Sequence, residues 1–138
     1  MSEPSQPSVT ILIVEDHPAT LAAVQRLVSK AFPACRTLTA GSAKRALELC
    51  TNHHAPDVVV MDIVLPEMDG IEATRRVKAL LPHTRVVMHS SHDLPMYRDA
   101  AAVAGADAFV SKNKTFSELV PAITRLLPPR AAGSKGGG

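Results

Sequence analysis

Polar residues stand where the apolar runs of this sequence stop. VTILIV runs into Glu15 and Asp16, VVVM into Asp62, and RVVMH into Ser90 and Ser91; Lys112 follows soon after Ala108–Val110. If these groups met, their chemistry would be specific. Three neighbouring carboxylates repel, and each raises the pKa of the others. A divalent cation removes that conflict. Mg²⁺ suits such a set because it takes oxygen ligands and keeps waters and phosphate oxygens in its shell. A carboxylate can also attack a phosphoryl group and become an aspartyl phosphate. That transfer needs alignment and charge neutralisation more than covalent help. Mg²⁺ and Lys112 would neutralise, and Ser90 would donate a hydrogen bond to a phosphoryl oxygen.

Whether the groups meet depends on the elements that carry them. Val9–Val14, Arg36–Thr39, Val58–Met61, Arg85–His89 and Ala108–Val110 are short, largely β-branched runs that read as strands. Helical stretches separate them. Pro18 opens the first helix, which Phe32-Pro33 stops; Ser42 is a candidate N-cap for the second. Ile71–Leu80 is the third, and Met96–Ala104, closed by Gly105, the fourth. Thr115-Phe116-Ser117-Glu118 has the capping-box pattern, so the last helix is expected from there to about Leu127. Five β-then-α units predict a parallel sheet covered on both faces. Ligands in such sheets bind beyond the carboxyl ends of the strands, which is where these polar residues lie. Asp62 is therefore expected at a rim, where its charge need not be buried.

At these residues the chain resembles the receiver domain of two-component response regulators, closest to the NarL/FixJ (LuxR-type) branch. The resemblance covers about residues 9–127. Its motifs are ILIVEDHP, VVVMDIVLPEMDG, VVMHSS and GADAFVSKN. It implies the flavodoxin-like (CheY-like) doubly wound sheet of strand order 2-1-3-4-5. It also implies that Asp62 accepts a phosphoryl group from a phosphohistidine on a sensor histidine kinase or phosphotransfer protein. Glu15, Asp16, Asp62 and the backbone carbonyl of Val64 would hold Mg²⁺. Lys112 would contact the phosphoryl group, Ser90 would move inward and Phe109 would follow, changing the affinity of one face for partners, a second copy of the chain among them. That is a two-state shift driven by one new dianion.

Two departures stand out. Asn113 follows Lys112 where many receivers have proline, a marker of the NarL/FixJ branch. Val64 and His92 occupy the positions two residues after Asp62 and Ser90, where the family tunes the lifetime of its phosphoryl group; Val64 cannot orient a water, whereas His92 could. Each residue also has an ordinary explanation. Asp62 could cap a turn, Glu15 and Asp16 could begin a loop, and Lys112 could be a surface lysine. Ser90 or Ser91 could cap the next segment, with the acting hydroxyl undecided between them. Phe109 carries both a core and a switch reading. His17 could sit near the metal, but a helix-start role is the simpler one, and His53-His54 reads as a solvated loop. Two other functions compete. An aspartate-nucleophile phosphatase would carry a second aspartate two residues on, where this chain has Val64. A pseudo-receiver would not need the intact acidic pair and lysine.

Composition narrows the field. A length of 138 residues suits one domain, and 46% hydrophobic residues suffice for a core. A net charge of +2 is too small for bulk attraction to nucleic acid. Cys35 and Cys50 show no metal-ligand spacing and read as free thiols in a reducing compartment. The polar N-terminus shows no secretory signal, and no apolar run reaches the roughly 18 to 20 residues of a membrane span, which points to the cytoplasm. Residues 1–8 read as a flexible arm, 9–127 as the receiver, and 128–138 as a flexible tail or truncated linker. The chain is expected not to bind DNA specifically by itself. Its output is either transcription control through a DNA-binding domain outside this sequence, or docking as a stand-alone receiver in a phosphorelay.

Overall fold

The structure, a computed structural model, describes residues 9–52 and 55–129. His53-His54, the arm at 1–8 and most of the tail lie outside the described residues. Five strands and five helices alternate: β1 (Thr10–Val14), α1 (Pro18–Ala31), β2 (Arg36–Ala40), α2 (Ala43–Thr51), β3 (Val58–Met61), α3 (Gly70–Leu80), β4 (Arg85–Ser90), α4 (Pro95–Ala104), β5 (Ala108–Ser111) and α5 (Val120–Leu126). The strands form one parallel sheet of order β2-β1-β3-β4-β5, as the family resemblance implied.

Alternation along each strand sorts the core into two layers. Leu12, Val14, Val59, Met61, Val86 and Met88 face Ala43, Ala46, Leu49 and Cys50 of α2, Ala73 and Val77 of α3, and Ala101 of α4. Ile11, Ile13, Val58, Val60, Val87 and Val110 face Val24 and Val28 of α1 and Ala122 and Ile123 of α5. With both faces covered, the middles of the inner strands, Ile11–Val14, Val58–Met61 and 86–88, are apolar on both sides, which is why they appear in the sequence as unbroken runs.

The helix starts follow local chemistry. Ser42 accepts from the Arg45 N–H at 3.1 Å, and Asp69 accepts from the Glu72 N–H at 2.8 Å. Gly105 closes α4 in the left-handed conformation at φ 109°, and its N–H bonds back into the helix. Cys35 and Cys50 are free, and burial pushes the Cys50 thiol up to about 11.

The last helix departs from expectation. Lys112–Lys114 is a 3₁₀ turn, Thr115–Leu119 a single π turn, and the α-helix begins only at Val120. No capping box forms: Thr115 is already in the helical conformation (φ −54°, ψ −50°) rather than the extended one of an N-cap, and its hydroxyl donates to the Lys112 carbonyl at 3.0 Å. Pro121 supplies the reason for the wide turn: it has no N–H for the Ser117 carbonyl, and its ring would crowd that oxygen in an ordinary α turn.

Candidate functional site

The carboxyl ends of β1, β3 and β5 converge on one cleft of about 290 Å³, lined by Glu15, Asp16, His17, Thr20, Asp62, Val64, Ser91, His92 and Lys112. Neighbouring strands bring Glu15 and Asp62 together, since Val14 is in register with Met61. The Asp62 N–H donates to the Val14 carbonyl at 3.2 Å, and the Glu15 N–H to the Ala40 carbonyl at 3.0 Å. One carboxylate oxygen each from Glu15, Asp16 and Asp62 lie within 4.8 Å of one another.

Asp62 is not released at an open rim. It is 5% exposed and Glu15 only 3%, whereas Asp16 is exposed. Buried carboxylates need partners, and these have them. The Lys112 ammonium donates to Glu15 Oε1 at 2.7 Å and to Asp62 Oδ2 at 2.8 Å. Asp62 Oδ1 accepts from the Ile63 N–H at 2.7 Å, and Glu15 Oε2 from the His17 N–H at 3.0 Å. Burial alone would pull the Lys112 pKa down; the bonds and charges of Asp62 and Glu15 outweigh it and hold the ammonium above the ordinary lysine value.

The same geometry shows what else would fit. Three carboxylates and one ammonium leave a formal charge of −3 + 1 = −2 around the cluster, the charge that a divalent cation cancels. All three acidic donors are oxygens, which suits a hard cation such as Mg²⁺.

The remaining candidate residues are disposed differently. Val64 is 51% exposed at the mouth of the cleft, while Ile63 and Leu65 on either side are buried and anchor the loop. Ser91 and His92 line the cleft, and the His92 ring meets the edge of Tyr97 at 5.4 Å. Ser90, the last residue of β4, is fully buried; its hydroxyl accepts from the His92 N–H at 3.1 Å, and it is not among the residues lining the cleft. Phe109 is half-buried with the Arg98 guanidinium over its ring at 4.5 Å. His17 contributes its backbone N–H to Glu15, and its ring approaches Thr20.

Four contributors were not singled out from sequence. Gly70 lies against the chain at Asp62, where a Cβ would come within 1.8 Å of the Asp62 carbonyl oxygen. A glycine at a helix start is the only sequence signal for that approach. Asp93 and Ser111 bond at 2.7 Å, joining the loop after β4 to the residue before Lys112. His89 is 3% exposed and bonds to Thr115 at 2.8 Å. The strand ends flagged the acidic cluster, but these pairings cross between elements and leave no local pattern.

Residues 11–124 match the family model described as "Response regulator receiver domain". The probable transcriptional regulatory protein NarL of Mycobacterium tuberculosis is 33% identical over 123 residues, covering 89% of this chain and 56% of that protein. A LuxR-family two-component response regulator from Aurantimonas superposes with a TM-score of 0.78 at 32% identity, covering 92% of this chain and 87% of that one. A CheY-like receiver domain protein from Methanospirillum hungatei, 23% identical, shares the fold with a TM-score of 0.79, covering 96% of this chain and 100% of that one. The chain spans about half the length of the curated relatives it matches.

Proposed function

Because the chain belongs to the receiver domain family of two-component response regulators, in its NarL/LuxR-type branch, we propose that Asp62 is its phosphoacceptor. One observation carries the reading: the Lys112 ammonium bridges the buried carboxylates of Asp62 and Glu15, with Asp16 beside them. A carboxylate prepared in this way can attack phosphorus. The donor's bond to phosphorus breaks as the Asp62 oxygen–phosphorus bond forms, and the donor leaves as a free imidazole after proton uptake. Lys112 would then turn from the carboxylates toward the phosphoryl oxygens and offset their charge.

Glu15, Asp16, Asp62 and the Val64 carbonyl are the groups we assign to Mg²⁺, which when bound supplies charge neutralisation for the incoming phosphoryl group. Ser90 is the switch hydroxyl in this reading. Its hydroxyl accepts from the His92 N–H and keeps its own proton to donate to the phosphoryl group, and Phe109, now under the Arg98 guanidinium, would follow its movement. Ser91, His92 and Val64, at the cleft, would tune how long the phosphoryl group survives. The exposed Val64 offers no acid or base, which favours a slow switch over a turnover phosphatase.

The domain assignment is 9–127 for the receiver, with 1–8 as an arm and 128–138 as tail or linker. The phosphoryl donor would be a sensor histidine kinase or phosphotransfer protein in the cytoplasm, and phosphorylation would favour a homodimer. Transcription control is the output we favour, since the matching relatives are named as transcriptional regulators and extend well beyond the matched length.

Incubation with Mg²⁺ and acetyl phosphate, followed by intact-mass measurement, tests the reading. The expected result is one phosphoryl adduct that decays slowly and is missing in Asp62→Ala. An unmodified wild-type mass, or an adduct that survives Asp62→Ala, would refute it. Sustained phosphate release at enzyme-like rates would favour a phosphatase.

A further inference from the structure

We propose that His89 is a positioning residue for Lys112, acting through a two-step hydrogen-bond relay in which His89 Nε2–H donates to Thr115 Oγ1 and Thr115 Oγ1–H donates to the Lys112 carbonyl. The two contacts measure 2.8 and 3.0 Å. Their functional meaning rests on the reading of Asp62 as phosphoacceptor.

His89 sits in β4 after three apolar residues, and it pairs in register with Val110 of β5. Alternation puts its side chain on the face of Val87, toward α1 and α5, and away from the face of Met88 and Ser90. It is buried there, and a buried imidazole needs a partner. The partner comes from the π turn that replaces the expected start of the last helix. Thr115 opens that turn, so its hydroxyl lies between His89 and the Lys112 carbonyl.

The direction of both bonds follows from the chemistry of the groups. A carbonyl can only accept, so the Thr115 hydroxyl must give its single proton to Lys112. Its oxygen then accepts from the histidine, which fixes the Nε2–H tautomer. The imidazole is uncharged at neutral pH: burial first, and the nearby Lys112 charge second, push its pKa down to about 4 against the opposing pull of Asp62. A neutral, single-tautomer donor under the site gives Lys112 a fixed backbone anchor.

The anchor matters because the lysine side chain is a point charge on a flexible four-carbon stem. Lys112 lies at the junction of β5 and the 3₁₀ turn, and its ammonium bridges Glu15 and Asp62. Fixing the carbonyl of residue 112 limits where that stem can start. Loss of either relay member leaves the ammonium present but less well aimed, which slows transfer without removing the acceptor.

The test uses the whole chain. Thr115→Val removes the hydroxyl with little change of shape, Thr115→Ser retains it, and His89→Leu removes the donor. Acceptance from acetyl phosphate with Mg²⁺ is expected to slow about fivefold in Thr115→Val and His89→Leu, the effect of one hydrogen bond, and to stay within about twofold of wild type in Thr115→Ser. The double variant should be no slower than either single one, since both cut one relay. Nitrogen NMR of wild type should show His89 protonated at Nε2, and the Lys112 ε-CH₂ signal should move in Thr115→Val and return in Thr115→Ser. Wild-type rates in folded Thr115→Val, an Nδ1–H tautomer, or an unmoved Lys112 signal would overturn the relay. A wild-type chain that takes no phosphoryl group would sink the phosphoacceptor reading instead, while the two NMR measurements would still decide whether the relay exists.

Discussion

As the proposed phosphoacceptor, Asp62 has to satisfy opposed demands: enough negative charge to attack phosphorus, and enough compensation to be buried. Lys112 meets both, because it offsets the carboxylate without consuming it. Glu15, Asp16, Asp62 and Lys112 were legible in the sequence because each breaks or follows an apolar run, and strand ends are where such sheets expose chemistry. The burial of Asp62 was not legible. It depends on Lys112, fifty residues away, and on the buried Ile63 and Leu65 beside it. His89 was illegible for a related reason: a histidine closing an apolar run looks like a strand end, and only the pleat and the Thr115 contact show that it points inward. Its burial has a measurable consequence. The folded pKa is pushed down to about 4, against about 6.5 in an unfolded chain. The unfolded chain then holds more protons between those values, so stability rises with pH across the window and is lost as pH falls from 6.5 to 4, by about 3 kcal/mol. Urea unfolding of His89→Leu should show a flatter pH dependence in that window, and curves that stay parallel to wild type would contradict this.

At the scale of elements, strands and helices followed from hydrophobic period, and turn chemistry set their ends. The expected capping box failed because Thr115 is itself helical and a π turn ahead of Pro121 separates it from the α-helix. The segment between β3 and α3 shows how tightly an element can hold a site. The Gly70 N–H donates to the Ile63 carbonyl at 2.7 Å, and its Cα presses against the Asp62 carbonyl. Glu67, in the same segment, takes a positive φ of 69°, which only tight loop geometry imposes on a residue with a side chain. Neither constraint has a periodic signature. In Gly70→Ala the new methyl would meet backbone rather than a movable side chain, so the loss should be about 3 kcal/mol in chemical denaturation, with slower phosphoryl acceptance as Asp62 is displaced. An unchanged denaturation midpoint would show that the segment yields more easily than its packing implies.

For the whole molecule, the cluster's formal charge of −2 sits in a chain whose net charge is +2. A divalent ion that binds only the folded form must stabilise it by mass action. At roughly a hundred times its dissociation constant, Mg²⁺ should raise the unfolding free energy by about 2.7 kcal/mol. EDTA should reverse the gain, and Asp16→Asn, at an exposed position, should remove most of it without disturbing the core. A melting temperature indifferent to Mg²⁺ would show that the folded chain does not bind the ion. The ion pair between Glu15 and Lys112 closes a span of 97 residues. A chain still leaving the ribosome carries its acidic residues long before it carries their lysine. The charge-compensated cluster proposed as the phosphoacceptor site is therefore complete only once the last strand has been made.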